Sequence, residues 1–180
     1  LPLNSNYLNT NYLAYPFVFN NETGKVVACW VDLGNSNPIS KRVSVIESDD
    51  YGVTWSVLPY FEFFAMDLVN IDILRGEITA TNDINIFIFK PYFPGQTKGD
   101  SRGGSMNTAK FDRSTEQWTQ FLDHDLYGFS GSGDRVLLPV SDSQYKFINV
   151  HEDAVFTIHF DSNDGGETWT FPGVISPGLF

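Results

Sequence analysis

Ser48-Asp49-Asp50-Tyr51-Gly52-Val53-Thr54-Trp55 and Ser162-Asn163-Asp164-Gly165-Gly166-Glu167-Thr168-Trp169 share one pattern, Ser-x-Asp-x-Gly-x-Thr-Trp. Each octet follows an alternating run, Val43-Ser44-Val45-Ile46 in the first case and Phe156-Thr157-Ile158-His159-Phe160 in the second. The pattern describes a hairpin turn. Such a turn needs a residue that tolerates positive φ, which Gly52 and Gly166 supply without steric cost. Asp50 and Asp164 can fold back to accept N–H groups of the turn, and Ser48 and Ser162 fix the approach. Past Thr54 and Thr168, the large apolar rings of Trp55 and Trp169 lock each turn onto its own sheet. In this reading both aspartates fix turns and do not catalyse. Asp161-Ser162-Asn163-Asp164 is no calcium loop either, because no bidentate glutamate follows at the required distance.

A third stretch, Phe111-Asp112-Arg113-Ser114-Thr115-Glu116-Gln117-Trp118, keeps the strand, the polar turn and the tryptophan but lacks the glycine. The tryptophans fall 63 and 51 residues apart (55 to 118, then 118 to 169). That period is longer than the roughly 40–50 residues of common propeller blades and fits four-stranded blades with generous loops. Elsewhere the chain carries short runs of Val, Ile and Phe punctuated by Gly, Asn, Asp and Pro, which is strand chemistry. Strands are expected near 15–19, 25–31, 42–47, 71–74, 77–81, 85–89, 108–111, 136–140, 145–150 and 155–160, with short ones after three tryptophans. Lys25–Val31 and Asn85–Phe89 are apolar on both faces and are expected inside packed sheets. No capped i, i+3, i+4, i+7 stripe appears, so helices should be few. The chain reads as all-β.

Composition narrows the function classes. Hydrophobic residues make up 42% of the 180 and charged residues 18%, which describes a globular chain and not a disordered one. Lys and Arg number 11 against 22 Asp and Glu, a net charge of −11 that repels a phosphate backbone or an anionic membrane. No run approaches the roughly 20 apolar residues of a membrane-spanning helix. The lone Cys29 excludes an internal disulfide framework and builds no zinc pattern, so neither metal nor cofactor is expected. The chain starts Leu1-Pro2-Leu3 and ends Ser176-Pro177-Gly178-Leu179-Phe180, which reads as a processed product or a piece of a longer chain.

The octet resembles the Asp-box, or BNR repeat, of sialidases (neuraminidases). Tyr15-Pro16-Phe17-Val18-Phe19, then Asn21-Glu22-Thr23-Gly24-Lys25-Val26-Val27-Ala28, then Arg42–Glu47 running into the first box, is similar to the first blade of that family. Gly133-Asp134-Arg135-Val136-Leu137-Leu138-Pro139-Val140 resembles a strand of its third blade. The resemblance covers nearly the whole chain and implies a β-propeller of sialidase type. About three four-stranded antiparallel blades would be present, near residues 12–60, 61–122 and 123–180 of one partial unit. Three blades cannot close a ring, because propellers typically use 4 to 8. Either remaining blades or a second copy would complete it.

The departures from the family bear on activity. Where the resemblance places the arginine that binds the substrate carboxylate, this chain has Ala14, which offers no bidentate clamp. The family's acid/base aspartate lies in the loop before the box strand, where Asp32 is the carboxylate available, at its early end. The rest of the clamp and the tyrosine nucleophile of this exception to the two-carboxylate scheme come from later blades. Candidate substrate-binding residues are therefore Tyr15, Asp32 and Arg135, with Asp32 also the acid/base candidate. Ser48, Asp50, Gly52, Thr54, Trp55, Ser162, Asp164, Gly166, Thr168 and Trp169 are the structural set.

Other constellations read blandly. Gly128-Phe129-Ser130-Gly131-Ser132-Gly133 has Ser132 where a nucleophile elbow needs glycine, and reads as an inter-strand loop. His124, His151 and His159 lack metal-ligand spacing and read as solvated or turn-packed. The loop from Gly95 to Gly104 lacks the ending of a phosphate loop. Asn21-Glu22-Thr23 is a glycosylation sequon, meaningful on a eukaryotic secretory route. Tyr12, Tyr15, Trp30, Tyr92 and Tyr127 are candidate sugar platforms or blade filler. Three functions follow as expectations. One is an inert propeller that binds a glycan or cell-surface receptor, as phage tail proteins and adhesins do, outside the cell or on a virion. A second is an exo-glycosidase completed outside these residues, and the third is a structural module of a larger assembly.

Overall fold

The computed structural model describes residues 17–32, 40–64, 72–90, 105–125, 133–141, 143–151 and 157–175. Among them are thirteen strands and no helix. The strands are β1 (Phe17–Asn20), β2 (Val26–Asp32), β3 (Ser40–Ser48), β4 (Ser56–Val57), β5 (Phe61–Phe64), β6 (Asp72–Ile78), β7 (Ile84–Lys90), β8 (Ser105–Asp112), β9 (Gln117–Asp125), β10 (Gly133–Ser141), β11 (Gln144–His151), β12 (Thr157–Ser162) and β13 (Thr170–Ile175). They form three antiparallel sheets in simple sequence order. The first runs β1-β2-β3-β4 with β5 also on β3, the second β6-β7-β8-β9, and the third β10-β11-β12-β13.

In the first sheet the fourth position is shared. β4 pairs with Ile46 and Glu47 of β3, and β5 pairs with Ser40 to Val43 further along the same edge. Between them Leu58 N donates to Val45 O at 3.0 Å, which keeps the interrupted segment attached. Each sheet therefore has four strand positions, and the chain is all-β with the fold class expected from its sequence.

Two compact units emerge from the contacts. The first contains the first sheet together with Gly76–Ile84 and Phe111–Trp118. Val27, Cys29, Val31, Val43, Val45 and Phe61 are among its buried side chains. Alternation explains this set: Val27, Cys29 and Val31 share one face of β2, and their partners Val43, Val45 and Glu47 share the matching face of β3. Trp118 packs its indole on Phe61 and Phe111, with ring centroids 4.6 and 5.1 Å away, and donates Nε1–H to Pro59 O at 2.6 Å. Burial pushes the Cys29 thiol up to about 12, so it stays a neutral, unreactive core group.

The second unit contains the third sheet and most of the middle one. Its core is Phe87, Phe89, Met106, Leu137, Tyr145, Phe147 and Phe160, with Leu74 and Trp169 packed against it. Leu137, Phe147 and Phe160 are register partners across β10, β11 and β12 and so present one continuous face. Each fully buried phenylalanine contributes about 1.5–3 kcal/mol relative to exposure. Six consecutive residues of β7, Ile84 to Phe89, are buried, as expected of a strand covered on both faces. The third sheet differs: on the face opposite Leu137, Val136 and Leu138 are 44% and 41% exposed.

Two local expectations are corrected. The strands read at 71–74 and 77–81 form the single strand β6, because Gly76 does not break it. A Cβ there would lie 2.0 Å from the Phe19 ring, so the glycine makes room for an aromatic packed on the strand. β5 was not read from the sequence at all. Of the two readings expected for His159, solvated or turn-packed, the solvated one is excluded: the residue is half-buried on β12 and its Nδ1 lies enclosed with no hydrogen-bond partner among the described residues.

Candidate functional site

The octets are best built from their serines. Ser48 closes β3, and its Oγ accepts from Gly52 N at 2.8 Å while donating to Asp50 Oδ1 at 2.7 Å. Asp50 then accepts from Thr54 twice, from N at 2.7 Å and from the hydroxyl at 2.6 Å. Gly52 has φ +88°, and its carbonyl accepts Trp55 Nε1–H at 2.9 Å. The second octet repeats the serine and aspartate bonds. Ser162 Oγ accepts from Gly166 N at 2.8 Å, and Asp164 accepts from Ser162 Oγ, Glu167 N, Thr168 N and the Thr168 hydroxyl.

One bond is exchanged between the two. In the second unit the Gly166 carbonyl is taken by Thr108 Oγ1 at 2.8 Å, and Trp169 Nε1 lies buried with no partner among the described residues. Lys110 fastens the same turn, donating to Asp164 O at 3.1 Å and to Glu167 Oε1 at 2.7 Å. The stretch without glycine turns differently. Asp112 Oδ1 accepts from Ser114 N and Oγ, and Glu116 takes the positive φ of +54°.

Electrostatics decides what these aspartates can do. Hydrogen bonds from the Thr54 hydroxyl and N–H, then from Ser48, bring the Asp50 carboxyl down to about 2. Burial opposes ionisation of Asp164, but the bonds from Thr168, Ser162 and Glu167 outweigh it and bring that carboxyl down to about 2 as well. Groups so acidic hold no proton to donate near neutral pH, so they are not general acids. The sign for stability follows. Both folded pKa values lie below the ordinary 3.8, so their contribution is complete above about pH 4 and is lost as pH falls toward 2. Urea midpoints measured from pH 6 to pH 2 should therefore fall steeply only in that window, and Asp164→Asn should flatten the fall. An unchanged slope in the variant would remove Asp164 from the account.

A second charged group, not read from the sequence, holds the first unit together. Glu47, on β3, has a side chain only 9% exposed. Arg113 grips it with two N–H groups, Nη1 to Oε1 at 2.7 Å and Nη2 to Oε2. Lys25 Nζ adds a contact at 3.3 Å and also pairs with Asp49. Arg113 is itself placed by the β6–β7 turn, donating N–H to Asp83 Oδ1 at 2.9 Å and Nε–H to Asn82 O at 3.0 Å. Burial pushes the Glu47 carboxyl up, but Arg113 and Lys25 together hold it below the usual carboxylate range.

The candidate binding residues lie away from the turns. Asp32 is the last residue of β2 and pairs with Arg42, whereas the octet begins at the other end of β3. Arg135 pairs with Asn149 near the start of β10, whereas the second octet leaves β12 beside Tyr145. Each therefore sits toward the end of its own sheet remote from its octet. Near Asp32, the Arg42 guanidinium lies 3.9 Å over the Tyr60 ring and donates to Glu62 Oε1 at 3.4 Å. Trp30 is half-buried in β2. Tyr12, Ala14, Tyr15, Tyr92, Tyr127 and the loops 95–104 and 128–132 lie outside the described residues. Among the described residues no group of three His, Cys, Asp or Glu could hold a metal ion, and no helix is long and apolar enough to cross a membrane.

No protein-family model matches the chain, and no curated protein matches it by sequence. Solved structures do. An α-L-arabinanase of Penicillium chrysogenum complexed with arabinobiose superposes with a TM-score of 0.52 at 14% identity, covering 94% of this chain and 52% of the other. An α-L-arabinofuranosidase of Fusarium graminearum with an iminosugar inhibitor gives 0.52 at 13% identity, covering 96% and 50%. A Hadza microbial sialidase gives 0.45 at 16% identity, covering 87% and 32%, a distance at which it carries no argument. The chain thus spans about half the length of the arabinan-acting structures it matches, and over that half it has the fold of the β-propeller glycosidases.

Proposed function

We propose that this chain is a sialidase-like propeller, its octets being Asp-boxes, that binds carbohydrate without cleaving it. It would recognise a glycan or a glycan-bearing receptor outside the cell or on a virion. The observation that supports this most is the likeness of fold to glycosidases at TM-scores of 0.52. Ala14, in place of a clamping arginine, supports the absence of turnover. Asp32 and Arg135, toward the ends of their sheets away from the octets, are the residues assigned to the sugar. The partners proposed are the remaining blades or a second copy of the chain, with no nucleic acid.

A glycan array spanning sialosides and arabino-oligosaccharides, probed with the full polypeptide, should show binding that weakens about tenfold, or 1.4 kcal/mol, in Arg135→Ala. Silence across the array would end the carbohydrate reading. Fluorogenic sialoside and arabinofuranoside should show no turnover above the uncatalysed rate. A second reading, an exo-glycosidase completed beyond these residues, is favoured by the half-length coverage of the neighbours, and turnover by the complete polypeptide would establish it instead.

A further inference from the structure

The turn between β1 and β2 carries Asn21-Glu22-Thr23, and no other Asn-x-Ser/Thr sequon occurs in the 180 residues. Three donors converge on the side-chain oxygen of Asn21. These are Thr23 N at 3.1 Å, the Thr23 hydroxyl at 2.7 Å and Lys25 N at 3.1 Å. Backbone bonds from Asn21 N to Lys25 O and from Gly24 N to Asn21 O close the same turn. The amide oxygen is thus fixed, and Nδ2 is left without a partner among the described residues.

Tyr51 stands beside this turn. Its N–H donates to Gly24 O at 3.1 Å, and its ring lies against Gly24, with ring carbons 2.5–2.7 Å from where a Cβ would project. The residue is nonetheless 76% exposed, and its backbone has φ +59°, a conformation that aromatic residues rarely take. The turn itself does not ask for an aromatic there. At the equivalent place in the second octet stands Gly165, with φ +74°. A strained, mostly exposed ring beside an accessible sequon points outward, to something the turn does not contain.

We propose that Asn21 is a site of N-linked glycosylation and that the exposed face of Tyr51 packs against the first sugar of the attached glycan. In the transfer, Nδ2 bonds to the anomeric carbon of a lipid-pyrophosphate-linked oligosaccharide as the bond from that carbon to the pyrophosphate oxygen breaks. The pyrophosphate leaves with the electron pair, and Nδ2 loses one proton to the transferring enzyme. Thr23 orients the amide through its hydroxyl, and Tyr51 offers the apolar ring on which the C–H face of a pyranose settles.

The test is secretion of the full polypeptide that contains these residues from a eukaryotic host, with the mass of the Asn21 segment read before and after an amidase that converts a glycosylated asparagine to aspartate. One glycan on Asn21 is expected, absent from both Asn21→Gln and Thr23→Ala. An unmodified Asn21 in the secreted chain overturns the site. For the ring, Tm is compared between glycosylated and enzymatically stripped protein. A gain of about 2–4 °C from the glycan is expected in the parent chain, and none in Tyr51→Gly, which copies the second octet and so keeps the turn. An equal gain in Tyr51→Gly overturns the packing role of the ring.

Discussion

Replacing Arg113 with alanine is expected to lower the stability of the chain by about 3 kcal/mol, because it leaves a buried carboxylate without its main partner. Glu47 is nearly enclosed, and two of its bonds come from the one guanidinium. Lys25 remains after the change, but its 3.3 Å contact is shared with Asp49 and cannot replace a bidentate grip. Removing both partners should cost less than removing one. Glu47→Leu with Arg113→Met exchanges two ions for apolar groups of similar length and should recover most of the loss. Urea unfolding of the parent chain, Glu47→Leu, Arg113→Met and the double variant measures this coupling directly. A loss below about 1 kcal/mol in Arg113→Ala would mean that the pair behaves as a surface contact.

The second large effect is expected at Gly166. Its φ of +87° already disfavours any L side chain, and a Cβ would stand 2.5 Å from Cε1 of Phe87 and 2.8 Å from Thr108 Oγ1. Phe87 is fully buried against Tyr145, with centroids 4.7 Å apart, and has nowhere to go. Gly166→Ala should therefore cost about 1–2 kcal/mol for the left-handed backbone and about 1–3 kcal/mol more for overpacking. Gly52 is the internal control. It has the same backbone at φ +88°, but an added Cβ meets only Trp55, at 3.4 Å. Gly52→Ala should thus show the backbone cost alone. Equal losses in thermal or urea unfolding would show that the close approach at Gly166 is relieved without penalty.

What the sequence revealed follows from how local each cause is. The octets were legible because the serine and aspartate bonds that both copies share join residues two to four apart, as from Ser48 to Asp50 and from Asp50 to Thr54. The strands were legible for the same reason, since branched and aromatic runs between Gly, Asn and Asp need no distant partner to be recognised. β5 was not, because Phe61-Glu62-Phe63-Phe64 becomes a strand through its rungs with Ser40 to Val43. The Glu47–Arg113 pair spans 66 positions in sequence, and nothing near either residue announces the other. Gly76 misled because a glycine in a strand reads as a break, whereas the Phe19 ring that fills its place comes from another strand. Of the candidate site, the backbone places Asp32 and Arg135 each away from its octet, while Tyr15 lies outside the described residues. Sequence alone offers candidate residue types and does not assemble them, since a binding surface is made of side chains from several loops.

The divided fourth position of the first sheet has a consequence for how the protein behaves in a crowded solution. A long, flat outer strand invites other chains to add themselves in register, the first step toward fibrils. Here that border is cut into pieces of two and four residues. Between them Pro59 has no N–H to offer, and its carbonyl is already occupied by the Trp118 indole. Among the described residues of that border an intruding chain would find no ladder longer than β5 to climb, so a phenylalanine-rich protein carries its own guard against templated aggregation there.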